Sequence, residues 1–216
     1  MEQAILTPIQ AKALASVMAD PNLFRFYLTG GTALAAYYLK HRVSDDLDFF
    51  TYEEPERMYL HGFAESLKDK LGADKLRFER LYDRNQFFFL FGAEELKVEF
   101  TKYPFATLEE PRVIEEVRVD SLRDIAANKL MALVDRFEPK DFIDLYFLLQ
   151  EFPLSAVRSD VENKFGHTLG PVFLGGEFAK AKHIAALPKM LKPLTVEELK
   201  AFFAQRAREL APEIFK

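Results

Sequence analysis

The stretch Leu28 to Phe50, LTGGTALAAYYLKHRVSDDLDFF, constrains this chain more than any other. The apolar run Phe24 to Leu28 predicts a strand, Gly30-Gly31-Thr32 a turn, and Ala33 to about Lys40 a helix. A second short strand carries Asp46 and Asp48 on alternate positions. Glycines at the start of a helix let backbone N–H groups approach an anion closely, and the helix dipole favours negative charge there. Side chains at i and i+2 of a strand share a face, so Asp46 and Asp48 can converge on one cation. A phosphate cradle beside a carboxylate pair is what metal-dependent nucleotide chemistry requires.

Taken singly, each feature has a plainer meaning. A Gly-Gly pair is most often only a turn. An Asp-x-Asp in a loop usually caps a helix or faces solvent. Asp48 resists that explanation, because Leu47, Phe49 and Phe50 surround it and an uncompensated carboxylate in an apolar strand is costly. A metal ion or a basic partner removes the cost.

The 216 residues suffice for one or two domains with a substantial core. Apolar residues make up 49% and charged residues 29%, the profile of an ordinary globular protein. With 22 Phe and no Trp, the core is expected to be Phe-rich. The absence of Cys excludes disulfides, thiolate metal sites and a cysteine nucleophile, and suits a reducing compartment. No basic segment followed by a long apolar stretch opens the chain, and no run of about 18 apolar residues occurs, so a cytoplasmic location without membrane attachment is expected. A net charge of −5 argues against broad, non-specific nucleic-acid binding but leaves room for a local basic groove. His41, His61, His167 and His183 lack zinc-ligand spacing.

Along the chain, Thr7-Pro8 predicts the cap of a first helix reaching about Ala19. Pro55 predicts the start of a second, with Tyr59, Phe63 and Leu67 as its apolar stripe and Gly72 as its end. Lys75–Tyr82, Gln86–Phe91 and Glu95–Thr101, joined by short connections, predict an antiparallel meander. In its last strand Glu99 is either a third carboxylate on the face of Asp46 and Asp48 or a solvated edge residue. Arg112–Val119 reads as one further strand. Ser121 to Asp124 resembles a capping box for a helix reaching about Val134, in which Lys129 interrupts the stripe of Leu122, Ile125 and Leu133. Such a lysine either snorkels or enters a cavity that wants positive charge, and the nearby charge pattern favours the cavity. Lys140–Glu151, opened by Pro139, predicts a core helix with Asp141 and Asp144 on its first turns, where one of them can pair with Lys129 or Arg136 or contact substrate. Ser155–Phe165, Glu177–Leu187 and Thr195–Leu210 read as helices, and Gly166–Gly176 as a loop.

Gly30 to Phe50, as GGTALxxxxxxHRxSxDLDFF, resembles the first motif of the AbiEii/AbiGii-type nucleotidyltransferase toxins, members of the DNA polymerase β-like nucleotidyltransferase superfamily. Lys129 to Leu145 resembles the pattern KLxALxxRxxxKDxxDL of the same family. The resemblance spans about Leu28 to Leu149, and it departs at Glu99, where the family usually shows Asp.

The resemblance implies an α+β fold: a polymerase β-like core over residues 1–120, with a mixed, partly antiparallel sheet, then a helical region over 121–216 that completes the active site. It implies transfer of a nucleoside monophosphate from a nucleoside triphosphate (NTP) to an acceptor hydroxyl, with RNA such as the 3′ end of tRNA as acceptor. Asp46 and Asp48, with Glu99 as third ligand, would bind one or two Mg2+ ions. Gly30, Gly31, Thr32 and Arg42 would meet the phosphates, unless Arg42 instead pairs with Asp45. Lys129 would neutralise triphosphate charge, with Asp141 supporting it or contacting the acceptor. A cognate antitoxin is the implied protein partner. The rival readings are a nucleotide-binding module acting through a partner, and AMPylation-like transfer to a protein.

Overall fold

The computed structural model describes residues 5–214, which fall into two compact units. The first comprises the chain up to Tyr38, Ser44–Ala106 and Glu110–Ser121; the second comprises Leu39–Val43, Thr107–Glu109 and the chain from Leu122 onward. Two short segments from the first 120 residues therefore belong with the helical part. No described helix is long and apolar enough to cross a membrane.

In the first unit, helix α1 (Pro8–Met18) opens on a reciprocal box. The Gln10 amide donates to Thr7 Oγ1 (3.1 Å) and the Thr7 amide to Gln10 Oε1 (2.8 Å). Strand β1 is only Tyr27–Thr29, because amide bonds from Leu23 to Asp20 and from Phe26 to Leu23 coil the preceding residues into turns. Gly30 does not sit in a turn before a helix, as its sequence suggested. It is the first residue of helix α2 (Gly30–Ala33), which widens into a π-helical segment, Leu34–Leu39, ended by Lys40 at φ +49°.

Strand β2 (Leu47–Thr51) and helix α3 (Arg57–Leu71) follow, the helix ending at left-handed Gly72. The buried stripe of α3 is Leu60, Ala64 and Leu67, so Leu60 and Ala64 stand where Tyr59 and Phe63 were expected and Leu67 is as expected. Tyr59 instead donates its hydroxyl to the Asp20 carboxylate at 2.7 Å. The meander forms as β3 (Lys75–Leu81), β4 (Arg84–Phe91) and β5 (Glu94–Lys102). The segment expected as one strand is a hairpin, β6 (Arg112–Ile114) and β7 (Val117–Val119). Glu115 and Glu116, both at positive φ (+48° and +66°), supply its two-residue turn.

The strands form one mixed sheet in the order β3-β4-β5-β2-β1-β7-β6. The β2–β5 and β1–β7 pairs are parallel and the others antiparallel. Alternation sorts its side chains by face. Leu47, Phe49, Phe87, Phe89, Val98 and Phe100 point to the core, where His61 of α3 meets the Phe87 ring edge-on at 5.4 Å and Phe63 meets Phe100 at 6.2 Å. The opposite face carries Asp48, Lys97, Glu99, Arg84 and Gln86.

The second unit is helical: α4 (Leu122–Asp135), α5 (Pro139–Glu151), α6 (Leu154–Phe165), α7 (Pro171–Ala179) and α8 (Val196–Ile214). Gly175 and Gly176, expected as loop punctuation, lie within α7. There a Cβ on Gly175 would lie 3.8 Å from the Ala207 carbonyl of α8, an ordinary van der Waals distance. The helix expected over Glu177–Leu187 stops at Ala179 and tightens into a 3-10 turn, Lys180–His183. Phe142, Phe178 and Phe203 form an aromatic core, with centroids 5.1 and 5.3 Å from Phe203.

Fully buried Asp124 anchors the segment Thr107–Glu109 by accepting from the Leu108 and Glu109 amides (2.8 and 3.0 Å), and it pairs with Lys164 at 2.6 Å. Replacing Asp124 by Ala leaves the buried ammonium and two amides without this acceptor. A loss of about 3–5 kcal/mol is expected, measured as a lowered urea midpoint.

Candidate functional site

The pairing of β2 with β1 and β5 brings the sequence-predicted carboxylates together. Asp48 lies opposite Thr29 on one side and Glu99 on the other, and Gln86 lies opposite Glu99. Asp46, expected on the strand with Asp48, instead precedes β2 on a loop tied from two directions. Gln10 Nε2 donates to the Ser44 and Asp45 carbonyls (2.8 and 2.9 Å), and the Thr32 hydroxyl donates to the Asp46 carbonyl. Thr32, expected to offer its hydroxyl to phosphates, is buried and uses it to hold this loop, with Ser44 Oγ a further 2.9 Å neighbour. Gly30 has a separate task. Its φ is +71°, and a Cβ there would lie 2.9 Å from Asp48 Oδ2, so only glycine lets the carboxylate stand so close.

At the centre of the cluster is a residue that sequence reasoning passed over. Lys97 Nζ lies 3.1 Å from Asp46 Oδ2, 3.4 Å from Asp48 Oδ1 and 3.5 Å from Glu99 Oε2. Burial alone would lower its pKa, but the three carboxylates raise it above its ordinary value and keep the ammonium charged. Glu99 has further partners: Arg84 Nε and Nη2 (2.6 and 2.8 Å), Gln86 Nε2 (2.8 Å) and Thr101 Oγ1 (2.8 Å). Burial would raise its pKa, and these donors with Lys97 hold it down to about 2. The signal for Lys97 was its i, i+2 spacing to Glu99. For Arg84 and Gln86 it was the hairpin register.

Among the described residues, no group of three or more carboxylate or imidazole side chains stands ready for a metal ion. Lys97 stands among the carboxylates, and Glu99 is engaged by Arg84, Gln86 and Thr101. The donor chemistry of Asp46 and Asp48 nonetheless fits a hard divalent cation, since both offer carboxylate oxygens to a cation the chain already seats between them.

The second unit gathers the other sequence-predicted residues into a buried network. Asp144 on α5 accepts from Arg42 Nε and Nη2 (2.6 and 2.8 Å), lies 2.8 Å from His41 Nε2 and pairs with Lys129 at 2.6 Å. Asp141 pairs with Lys129 (2.8 Å) and Arg136 (3.0 Å). Arg42, expected at the phosphates or on Asp45, is 2% exposed and spreads its guanidinium over Asp144. A bridge to Met190 and an amide bond from Val43 to the Lys189 carbonyl (2.9 Å) fix its backbone. Burial would raise the Asp144 pKa, but Lys129 and Arg42 hold the carboxyl well below the usual range.

A profile described as nucleotidyl transferase AbiEii toxin, type IV TA system, matches residues 12–214. The chain belongs to the AbiEii nucleotidyltransferase toxin family. The Aquifex aeolicus protein aq_aa25 is 34% identical over 160 residues, 72% of this chain and 74% of that protein. Among solved structures, Helicobacter pylori JHP933 superposes with a TM-score of 0.58 at 21% identity, covering 95% of this chain and 90% of that one. The Mycobacterium tuberculosis nucleotidyltransferase toxin MenT4 gives a TM-score of 0.51 at 14% identity over 97% of this chain and 86% of its own. These structural likenesses are likenesses of fold. The mixed α+β architecture is thus that of a nucleotidyltransferase, as the motifs at Gly30–Phe50 and Lys129–Leu145 implied.

Two stability effects follow for this AbiEii-family chain. His41 is fully buried; burial lowers its pKa below the ordinary 6.5 despite the opposing pull of Asp144. The unfolded chain then binds more protons below about pH 6.5, so this contribution is present above that pH and lost as the pH falls. The urea midpoint is expected to drop between about pH 7.5 and about pH 5.5, and by less in His41→Gln. Gly30→Ala must place a methyl group against Asp48 at a left-handed φ. A loss of about 1–3 kcal/mol is expected, read from thermal or urea unfolding.

Proposed function

We propose that this AbiEii-family protein transfers a nucleoside monophosphate from an NTP to an acceptor hydroxyl on RNA, such as the 3′ end of tRNA, and arrests growth by doing so. The observation that carries the reading is the convergence of Asp46 and Asp48 on one seated cation, in a chain whose family is a nucleotidyltransferase toxin family.

In the transfer, the acceptor oxygen bonds to the α-phosphorus. The bond from that phosphorus to the α,β-bridging oxygen breaks, and pyrophosphate leaves with the electron pair. The hydroxyl proton passes to a neighbouring carboxylate. Asp46 and Asp48 would hold Mg2+, which when bound polarises the phosphate oxygens and stabilises charge on the leaving group. The Gly30–Thr32 backbone would lie against the β- and γ-phosphates, with Gly30 also leaving room for Asp48. Glu99 contributes through the position of Lys97 and as a candidate third ligand.

Lys129 and Asp141 are proposed to serve the nucleotide as the family resemblance implies. In the second unit itself the Lys129 ammonium is already balanced by Asp141 and Asp144. The toxin family also carries the expectation of a cognate antitoxin, and a cytoplasmic site of action suits an NTP and tRNA substrate.

A second reading has an observation of its own. Glu99 is engaged by Arg84, Gln86 and Thr101, and Lys97 stands where a metal would compete, which suits a nucleotide-binding module that transfers little. Incubation with each α-labelled NTP, Mg2+ and total bacterial RNA separates the readings. Label is expected in a discrete RNA band, and Asp48→Ala is expected to abolish it with an unchanged melting temperature. Full activity in Asp48→Ala would sink the carboxylate's role. Label on protein would move the acceptor to AMPylation-like chemistry, and binding without transfer would favour the module.

A further inference from the structure

The carboxylate cluster of the first unit already contains a cation, and that cation is part of the chain. Lys97 contacts Asp46 Oδ2, Asp48 Oδ1 and Glu99 Oε2 within 3.1–3.5 Å, on a side chain 17% exposed. Three carboxylates around one point repel one another, and in a partly dry setting the repulsion is large enough that a positive charge must stand among them. A divalent ion held by Asp46 and Asp48 needs their oxygens, which Lys97 now engages. The ammonium and a dication cannot share that place. Glu99 is in a different position, because Arg84, Gln86 and Thr101 hold it independently of Lys97.

We propose that Lys97 is a resident counter-cation that a divalent ion must displace, and that the displaced ammonium becomes a positioning contact for the incoming triphosphate, so that metal and nucleotide load together. The proposal rests on the nucleotidyl-transfer reading of this site. Its logic is one of alternative partners. When metal enters alone, the evicted ammonium keeps only Glu99, whose charge is already answered by Arg84. When a triphosphate enters as well, the ammonium exchanges two carboxylates for phosphate oxygens. A lysine suits that exchange, because its compact charge rides on a flexible four-carbon stem. Metal affinity is then low in the free protein and rises with nucleotide, and linkage requires nucleotide affinity to rise equally with metal.

The test is Mn2+ binding, followed by electron paramagnetic resonance and isothermal titration calorimetry. It is run with and without a non-transferable α,β-methylene ATP, on the wild-type protein, Lys97→Met, Lys97→Gln and Asp48→Asn. The neutral Lys97 variants are expected to bind Mn2+ about 10-fold more tightly than wild type without nucleotide. The analogue is expected to tighten Mn2+ binding about 10-fold in wild type and hardly at all in those variants. Mn2+ should also raise their melting temperature more than that of wild type, since it replaces a missing positive charge. Equal or weaker Mn2+ binding by the Lys97 variants, with wild-type binding lost in Asp48→Asn, overturns the proposal and leaves the metal role of Asp48 standing. Absence of Mn2+ binding by wild type even with the analogue overturns the nucleotidyl-transfer reading itself. Neutral variants that stay unfolded in Mn2+ also overturn the proposal, because the metal should then stand in for the lysine.

Discussion

The parallel register of β2 on β5 is the constraint on which the site depends. Asp48 sits opposite Glu99, and a one-residue slip would send Phe49 to the polar face and Asp48 into the aromatic core. Phe49 and Phe100 hold the register from the apolar side, with rings stacked 5.4 Å apart. On the polar side Phe50 stacks on Tyr103 at 4.3 Å, and opposite charges hold the carboxylates beside their cations. The β4–β5 hairpin then extends the same row, setting Gln86 beside Glu99 and Arg84 two residues further along the same face. The sheet is therefore both the scaffold of the carboxylates and the means by which their counter-charges arrive.

Much of this was legible in the sequence, because period-2 alternation is a local property. Asp48 and the meander can be read from spacing alone; Asp46 lies on the loop before β2 and not on the strand, and the spacing left Glu99 either on the face of Asp48 or solvated at an edge. The turn at Gly30 could not be read correctly, because a helix starting directly on a strand and a free Gly-Gly turn share the same letters. The apolar stripe of α3 departs from expectation at Tyr59 for a tertiary reason, the hydrogen bond from Tyr59 to Asp20. The hairpin at Glu115-Glu116 was hidden because neither residue is a usual carrier of positive φ. In α7, Gly175 and Gly176 read as breakers, yet the helix runs through both.

Site residues differ in the same way. Helical spacing put Asp141 and Asp144 together on one helix and Lys129 in the apolar stripe of another, and left open which aspartate pairs with Lys129; both do. Arg42 could not be assigned to Asp144, 102 residues away in sequence, without the fold. Lys97 is the instructive omission. Its spacing to Glu99 was plain, but a lysine on a strand is ordinarily a solvated face, and only the β2–β5 register puts Asp46 and Asp48 around it. The Glu99 carboxylate lies where two arms of Arg84, Gln86 and Thr101 all reach it.

Both units solve the same electrostatic problem, a carboxylate removed from water, and the difference between the solutions bears on function. Asp144 is fully buried and answered by Arg42, Lys129 and His41 together, so no single cation can leave without stranding charge in a dry interior. Asp46 and Asp48 keep 47% and 23% of their side-chain surface exposed and share one flexible lysine. Water can reach the Asp46–Asp48 cluster while its counter-ion moves, and the counter-ion needs to break only its contacts with Asp46 and Asp48 to do so. A permanent network of the first kind stabilises a fold. An exchangeable one of the second kind is what a site needs when its natural occupant is a metal that arrives with its substrate.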